Sequence, residues 1–187
     1  MARTPPLVRP ARASDLNSVA KLWEELRDSG ARWGPYAPPS TLDGLHERLS
    51  RIADSPGHEL LVAEIDDEPV GVAVLSTLPM NPLTDERTLQ ISFMHVRDDS
   101  RRRGIGRALV TAAAQQAQEA RLEYVSVAVY PHARESNRFF ARLGFRQFSV
   151  RRAVPLATLQ RKLGSQSDAR RHLLVSRRAR SRTAGTQ

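Results

Sequence analysis

The stretch VRDDSRRRGIGRAL, from Val96 to Leu109, constrains the fold more than any other part of the chain. It joins an apolar, strand-like run that ends at Val96 to an alanine-rich helical run that starts at Leu109. Glycine lacks a Cβ, so the backbone of Gly104 and Gly106 can approach a ligand closely. The start of the following helix offers unpaired N–H groups and the positive end of the helix dipole. This order of strand, glycine turn and helix predicts a cradle for an anion such as phosphate.

Four arginines crowd the same turn, namely Arg101, Arg102, Arg103 and Arg107. Their charges repel one another unless an anion neutralises them, although a solvated basic face is an alternative interpretation. The spacing fits neither common nucleotide-binding loop. Arg107 and Ala108 follow the last glycine where a P-loop has lysine and serine or threonine, and Leu109 replaces the third glycine of a dinucleotide fingerprint.

Length and composition limit the class of protein. The chain has 187 residues, of which 40% are hydrophobic and 26% charged, as expected for a globular domain with a sizeable core. It contains no cysteine, which excludes disulfides, thiolate metal sites and a cysteine nucleophile. No apolar leader or membrane-length apolar run is present. We therefore expect a cytoplasmic protein with no membrane partner and no metal.

Positive charge is concentrated near the C-terminus. The net charge is +9, and from Arg161 onward eight basic residues stand against Asp168 alone. We expect one domain over residues 1–163 and a basic, flexible tail over residues 164–187. Such a tail can bind nucleic acid or an acidic surface, or it can be loosely solvated. Lys21 and Lys162 are the only lysines among 29 basic residues, a bias that favours a bacterial source with a GC-rich genome.

Hydrophobic periodicity and turn residues predict the element order β-α-α-β-β-β-α-β-α-β. The predicted strands cover residues 7–10, 60–65, 70–76, 87–96, 123–129 and 145–150, with a hairpin turn at 66–69. The predicted helices cover residues 14–27, 42–53, 109–120 and 134–143. Ser14 is the expected N-cap of the first helix, and Gly144 is expected to end the last. Residues 155–163 fit either a last strand or a helix opened by Pro155.

This order, with the anion turn after the fourth strand, resembles the GNAT superfamily of acyl-CoA-dependent N-acetyltransferases over residues 7–150. Residues 101–106, RRRGIG, match the family's Arg/Gln-x-x-Gly-x-Gly/Ala turn, and residues 138–145, RFFARLGF, resemble its later helix that ends in Gly-Phe. The resemblance implies an α/β (α+β) fold. Its central sheet would be mixed but mostly antiparallel, with about 6–7 strands, flanked by four helices and splayed between strands 4 and 5.

The resemblance also implies that the anion is the pyrophosphate of coenzyme A and that acetyl-CoA is the cosubstrate. The acyl arm would run beside the fourth strand, where the backbone N–H of Met94 would hold the thioester oxyanion. The residues implied to contact the cofactor are Met94, His95, Val96, Arg101, Arg102, Arg103, Gly104, Ile105, Gly106, Arg107, Asn137 and Phe140.

The implied activity is direct transfer of an acetyl group to an amine, and the general base is not evident. Family members often carry Glu or His on the fourth strand, where we align Gln90 and Ser92. The remaining candidates are His95, Glu123 and Glu86, or a water chain to a distant carboxylate. Strand alternation points His95 away from the side of Gln90 and Ser92 unless a bulge intervenes.

The general acid and one cofactor contact also differ from the family pattern. The family's frequent tyrosine is replaced by Phe140, which has no proton to donate, so Tyr130 is the preferred substitute. Ala133 stands where the family has an asparagine, and Asn137 is one turn further along the helix.

The loop after the first helix carries Asp28, Trp33 and Tyr36, which can receive a cationic amine or pack on the core. A small amine, an aminoglycoside, an amino acid and a protein amine all stay open as acceptors, as does a homodimer. The alternative function is a weakly active or inactive CoA-binding module, tethered to nucleic acid through the basic tail.

Overall fold

The computed structural model describes residues 5–28, 42–81 and 83–164. The chain divides into two compact units, Met1–Phe145 and Arg146–Gln187. The described part of the second unit contains one helix, at residues 156–164. The basic tail beyond residue 164, with its expected partners, lies outside the described residues, so the tail stays a prediction.

The first unit is a mixed α/β fold built on one sheet. Its strands are β1 Leu7–Pro10, β2 His58–Ile65, β3 Glu68–Pro79, β4 Arg87–Val96 and β5 Tyr124–Val127. Its helices are α1 Leu16–Asp28, α2 Leu42–Ala53, α3 Ile105–Glu119 and α4 Arg134–Arg142, and the helix at residues 156–164 is α5. The strands lie in the order β1-β2-β3-β4-β5, antiparallel except that β5 runs parallel to β4.

Two expectations about this architecture are wrong. The described residues form five strands and five α-helices, where 6–7 strands and four helices were expected. The missing strand is the one predicted at residues 145–150, which has no regular structure and is exposed from residue 146 onward. A strand needs a neighbour for its backbone hydrogen bonds, and alternating side chains do not supply one. For residues 155–163 the structure selects the helix, with Pro155 O accepting from the N–H of Thr158 at 3.0 Å.

Local signals located several elements correctly. The bounds of β1, α2 and β4 match the prediction. The hairpin between β2 and β3 is confirmed, since Asp66 and Asp67 have φ of 52° and 62°, as a two-residue hairpin turn requires. Gly144 has φ of 90° and ends α4. Ser14 is not the cap of α1, because Asp15 accepts the backbone N–H of Arg12 at 2.6 Å within a preceding 3-10 turn.

Both faces of the sheet are covered by helices. On one face α1 and α2 pack on alternate residues of β2 and β3, such as Val62 and Val72, with Leu45 from α2. On the other face α3 and α4 pack on strand residues such as Leu75 of β3, and Leu109 of α3 lies in the same core cluster. Because both sides are covered, β2 and β3 are nearly continuous apolar runs.

A bulge in β4 changes which side chains share a face. Val74 of β3 pairs with Phe93 and the next residue pairs with Ile91, so Ser92 is an extra residue on β4. Phe93 therefore faces α1, with its ring 5.0 Å from that of Trp23, whereas Ile91 lies in the core under α3. Because alternation restarts after the bulge, His95 falls on the same face as Phe93.

Gly71 on β3 allows α3 to begin close to the sheet. A Cβ at this position would lie 2.9 Å from Cγ2 of Ile105 and 3.4 Å from the His95 carbonyl oxygen. Ile105 is the first residue of α3 and is 1% exposed. Because Gly71 has no side chain, the N-terminus of α3 can pack closely against the sheet near the end of β4.

We expect Gly71→Ala to lower the free energy of unfolding by about 1–3 kcal/mol, because the new methyl group overlaps Ile105 in a packed core. Urea denaturation measures the loss. The double variant Gly71→Ala/Ile105→Ala provides the control, since removal of the colliding Cγ2 makes the two costs less than additive. Strict additivity of the two costs would contradict this account.

Candidate functional site

The turn between β4 and α3 is compact and strained. β4 ends at Val96, a 3-10 turn covers Asp98–Ser100, and α3 begins at Ile105. Between them Arg102 and Gly104 have φ of 60° and 86°, a left-handed conformation that suits glycine. The buried side chain of Ile105 anchors the turn in the core, so the backbone around it is held in place.

A row of backbone N–H groups lines this turn. From Arg102 to Arg107 no backbone N–H donates a hydrogen bond to any described residue, and the first helical bond runs from Ala108 N–H to Gly104 O at 2.9 Å. A Cβ built on Gly104 would meet nothing within 4 Å, so there is open space beside the backbone at this residue. Unpaired amides at a helix N-terminus are the feature that favours anion binding, so the prediction of an anion site is consistent with this turn.

The four arginines of the turn differ in whether they form ion pairs within the protein. Arg101 has carboxylate partners of its own, since Nη2 lies 2.7 Å from Asp98 Oδ1 and Nη1 lies 3.4 Å from Glu135 Oε2. The expectation that the four arginines need an anion is therefore wrong for Arg101. Arg102, Arg103 and Arg107 are exposed and form no ion pair within the described residues. Their three guanidiniums are left for a ligand.

The sheet opens beside the turn. β5 pairs with β4 only from Thr88 to Ile91, where Ala128 N–H donates to Ile91 O at 3.2 Å, although β4 continues to Val96. On the other side, Arg97 N–H donates to Val70 O at 2.9 Å. Hydrogen-bonding direction alternates along an antiparallel strand, so the amides of Met94 and Val96 face away from β3, into this gap. The gap ends at the amide row.

His95 lies at the end of β4 on the α1 and α2 face. It is 7% exposed and lines a cleft of about 340 Å³. Burial, with help from the positive charge of Arg101, lowers the pKa of His95 from 6.5 to about 4, and Asp98 opposes this only in part. The imidazole is neutral at pH 7 and has no hydrogen-bond partner among the described residues. The bulge at Ser92 brings it to the side of Gln90, but its low proton affinity makes it a weak base.

We expect His95 to make stability fall between pH 6.5 and pH 4. In this range the unfolded chain binds a proton at His95 and the folded chain does not, so acid favours unfolding. The wild type should lose about 3 kcal/mol more unfolding free energy over this range than His95→Gln, which has no such group. Urea denaturation at pH 7 and pH 4 makes the comparison, and parallel losses in the two proteins would contradict it.

The residues after β5 continue beyond the point where β5 stops pairing with β4. Tyr130 is 44% exposed and stacks on His132 with ring centroids 5.5 Å apart. The side-chain nitrogen of Asn137 donates to Tyr130 O at 2.9 Å and to Ala133 O at 2.8 Å, so it fixes this loop. Phe140 is 5% exposed, which leaves little of its ring for the cofactor contact expected of it.

Glu123 lies near the opposite end of β4 from His95, and its role as a base stays a prediction. Thr88 pairs with Tyr124, so Glu123 precedes β5 beside the start of β4. His95 is seven residues further along β4, which places it roughly 20 Å away. His95 on the one hand, and Glu123 and Glu86 on the other, are therefore alternative candidates at opposite ends of β4.

Most of the expected acceptor loop lies outside the described residues. Asp28 is the last residue of α1, and Trp33 and Tyr36 lie outside the described residues. Within the described ranges no helix is both long and apolar enough to cross a membrane. The same ranges hold no cluster of three or more His, Cys, Asp or Glu side chains suited to a metal ion.

Three features of the site were not predicted from the sequence. Gly71 was readable in principle, because a glycine within a run of valine and alanine indicates close approach of another backbone or side chain. The bulge at Ser92 has no local signal, since it depends on the register with β3. Glu25, which shares the cleft with His95, looks like any exposed helix residue.

Comparison with known proteins agrees with this geometry. The acetyltransferase (GNAT) family profile matches residues 20–145. No curated protein sequence matches the chain. A transcriptional regulator from Bacillus halodurans C-125 shares the fold with a TM-score of 0.66 and 21% identity, over 80% of this chain and 99% of that one.

Two further solved structures are similar in fold. Ribosomal-protein-alanine N-acetyltransferase from Brucella melitensis biovar Abortus 2308 has a TM-score of 0.65 at 17% identity, over 82% of this chain and 100% of that one. AAC(6′)-Iy, solved with the bisubstrate analogue CoA-S-monomethyl-acetylneamine, has a TM-score of 0.66 at 17% identity, over 81% of this chain and 98% of that one. At these identities the likeness establishes the fold alone.

Proposed function

The chain belongs to the acetyltransferase (GNAT) family, and we propose that it transfers the acetyl group of acetyl-CoA directly to an amine acceptor. The observation that carries this proposal is the row of unpartnered amides from Arg102 to Arg107, which adjoins the open edge of β4. One ligand with a diphosphate and a long acyl arm fits both features together.

The residues present suit acetyl-CoA. Its pyrophosphate is held by the amides of residues 102–107 and by the guanidiniums of Arg102, Arg103 and Arg107. Its pantetheine arm runs along the edge of β4 that β5 leaves unpaired. The amides of Met94 and Val96 face that arm, and the thioester oxygen accepts from the Met94 N–H.

The transfer needs no covalent enzyme intermediate. The neutral amine nitrogen attacks the thioester carbon, forming the C–N bond and placing negative charge on the oxygen held by Met94. Collapse of this intermediate breaks the C–S bond and releases CoA thiolate. The amine proton passes to water, because neutral His95 binds a proton weakly, and the thiolate takes a proton from water or from the exposed Tyr130 hydroxyl.

Isothermal titration with acetyl-CoA and with S-acetylpantetheine tests the proposal. The second ligand keeps the thioester and lacks the diphosphate, so we expect it to bind at least about 100-fold more weakly. Thiol release with a panel of primary amines then tests catalysis. Equal binding of the two ligands would remove the proposal, whereas tight acetyl-CoA binding with no thiol release for any amine would favour the inactive CoA-binding module.

A further inference from the structure

A second cleft lies at the C-terminal end of β4, on the face of the sheet opposite to α3. It is the cleft of about 340 Å³ lined by Glu25, His95, Arg97, Asp98 and Asp99. Glu25 comes from α1, and the other four lie between residues 95 and 99, at the end of β4 and in the turn after it. The cleft therefore faces α1, on the same side of the sheet as Phe93.

The charges in this cleft do not cancel. Arg97 is shared between Asp99, at 2.8 Å, and Glu68. Asp98 is paired with Arg101 at 2.7 Å, and Arg103 acts on Asp99 from further away. The side chain of Glu25 has no ion pair or hydrogen bond to any described residue. A negative site is thus present in a chain whose net charge is +9.

His95 provides an independent indication that the cleft receives a ligand. Its side chain is more than nine-tenths buried, it lines the cleft, and its ring nitrogens have no partner within the described part of the chain. The ring nitrogens are not enclosed by protein, so a ligand in the cleft can reach them. Neutral imidazole offers one acceptor nitrogen, which matches the N–H of a cation.

We propose that this cleft binds the acceptor as a cationic amine, with Glu25 supplying the uncompensated carboxylate and His95 the hydrogen-bond acceptor for an ammonium N–H. This inference rests on the proposed function, because it assigns a substrate class to the same reaction. It places the amine subsite on Glu25, His95 and Asp98 rather than on the loop residues suggested by the sequence.

The position of the cleft suits the transfer. Met94, whose amide faces the gap between β4 and β5, is adjacent in sequence to His95, and consecutive Cα atoms are about 3.8 Å apart. A cationic amine that enters along the face of α1 arrives beside the thioester carbonyl, while CoA occupies the sheet edge. It first gives one ammonium proton to water, and the neutral nitrogen then attacks the thioester carbon. The two substrates thus approach the same strand from different directions.

Calorimetry on the full chain saturated with CoA tests the subsite. The probe is putrescine, a diamine that is cationic at pH 7, and the neutral comparison is butane-1,4-diol, which has the same carbon chain. We expect saturable binding of putrescine and none of the diol. Glu25→Gln should weaken putrescine binding by about tenfold or more, because a charged hydrogen bond is lost. His95→Leu should weaken it as well.

Glu24→Gln is the matched control. Glu24 is the neighbouring residue of α1, it pairs with Arg27 at 3.8 Å, and it does not line the cleft. Putrescine affinity unchanged in Glu25→Gln, equal loss in Glu24→Gln, or equal binding of putrescine and the diol would each overturn the subsite. Acetyl-CoA affinity of Glu25→Gln separates the two proposals: it should equal that of the wild type, and failure of the wild type itself to bind acetyl-CoA overturns the proposed function.

Discussion

Gly104→Asp is expected to weaken acetyl-CoA binding by at least about 100-fold, because like charges brought together at a binding site cost several kcal/mol. Gly104 stands where the amide row meets the start of α3, and a Cβ there meets nothing within 4 Å. The new side chain therefore fits, and its carboxylate lies where the pyrophosphate would bind. Titration calorimetry measures the loss, and circular dichroism verifies the fold.

Two control variants separate the effect of the added negative charge at residue 104 from that of the added side chain. Gly104→Asn has nearly the same shape, and both Asn and Asp tolerate positive φ better than most residues, so it should keep most of the affinity. Gly57→Asp adds the same carboxylate at another open glycine, with φ of 76°, beside the far end of β2. Affinity of Gly104→Asp close to that of the wild type would show that no anion binds at the turn.

Gly106→Asp should also abolish binding, but it is a less specific probe. A Cβ at Gly106 would approach the ring of Phe139 at 3.4 Å. Steric and electrostatic effects then act together, so a loss of affinity at this position does not by itself identify the phosphate site.

Arg9→Met is expected to lower the free energy of unfolding by about 3–5 kcal/mol, because it leaves two buried carboxylates without their partner. Arg9 Nη1 donates to Asp15 Oδ2 at 2.7 Å, and Nη2 donates to Glu64 Oε2 at 2.7 Å. Both carboxylates are buried, on the 3-10 turn before α1 and on β2. Thermal and urea denaturation measure the effect.

The pH dependence of the free energy of unfolding gives a second test of the ion pairs that Arg9 forms with Asp15 and Glu64. Arg9 holds the pKa of Asp15 below its usual 3.8, so the ion pair stabilises the fold above that pH, and this contribution is lost as the pH falls further. Arg9→Met should lose this dependence below pH 3.8. Arg97→Met is the control, since its partners Glu68 and Asp99 are exposed, and exposed pairs contribute about 0–1 kcal/mol. A cost for Arg9→Met no larger than for Arg97→Met would contradict the argument.

Several helices and tight turns, including the glycine turn before α3, could be predicted from the sequence because each depends on residues close together along the chain. Hydrophobic spacing located α2 and β4, Asp66 and Asp67 predicted the hairpin, and Gly144 predicted the end of α4. The Gly104-Ile105-Gly106 turn belongs to the same class, since its open amides follow from a glycine conformation and a helix start.

Only the tertiary structure decided the features that depend on distant neighbours. Arg9 meets Glu64 across 55 positions of sequence, and Arg101 finds Glu135 on α4. The bulge at Ser92 depends on pairing with β3, the acidity of His95 depends on burial, and residues 145–150 have no regular structure because no described strand pairs with them. Local propensity acts through nearest neighbours, whereas strand register, burial and ion pairing are set by which surfaces meet once the chain is folded.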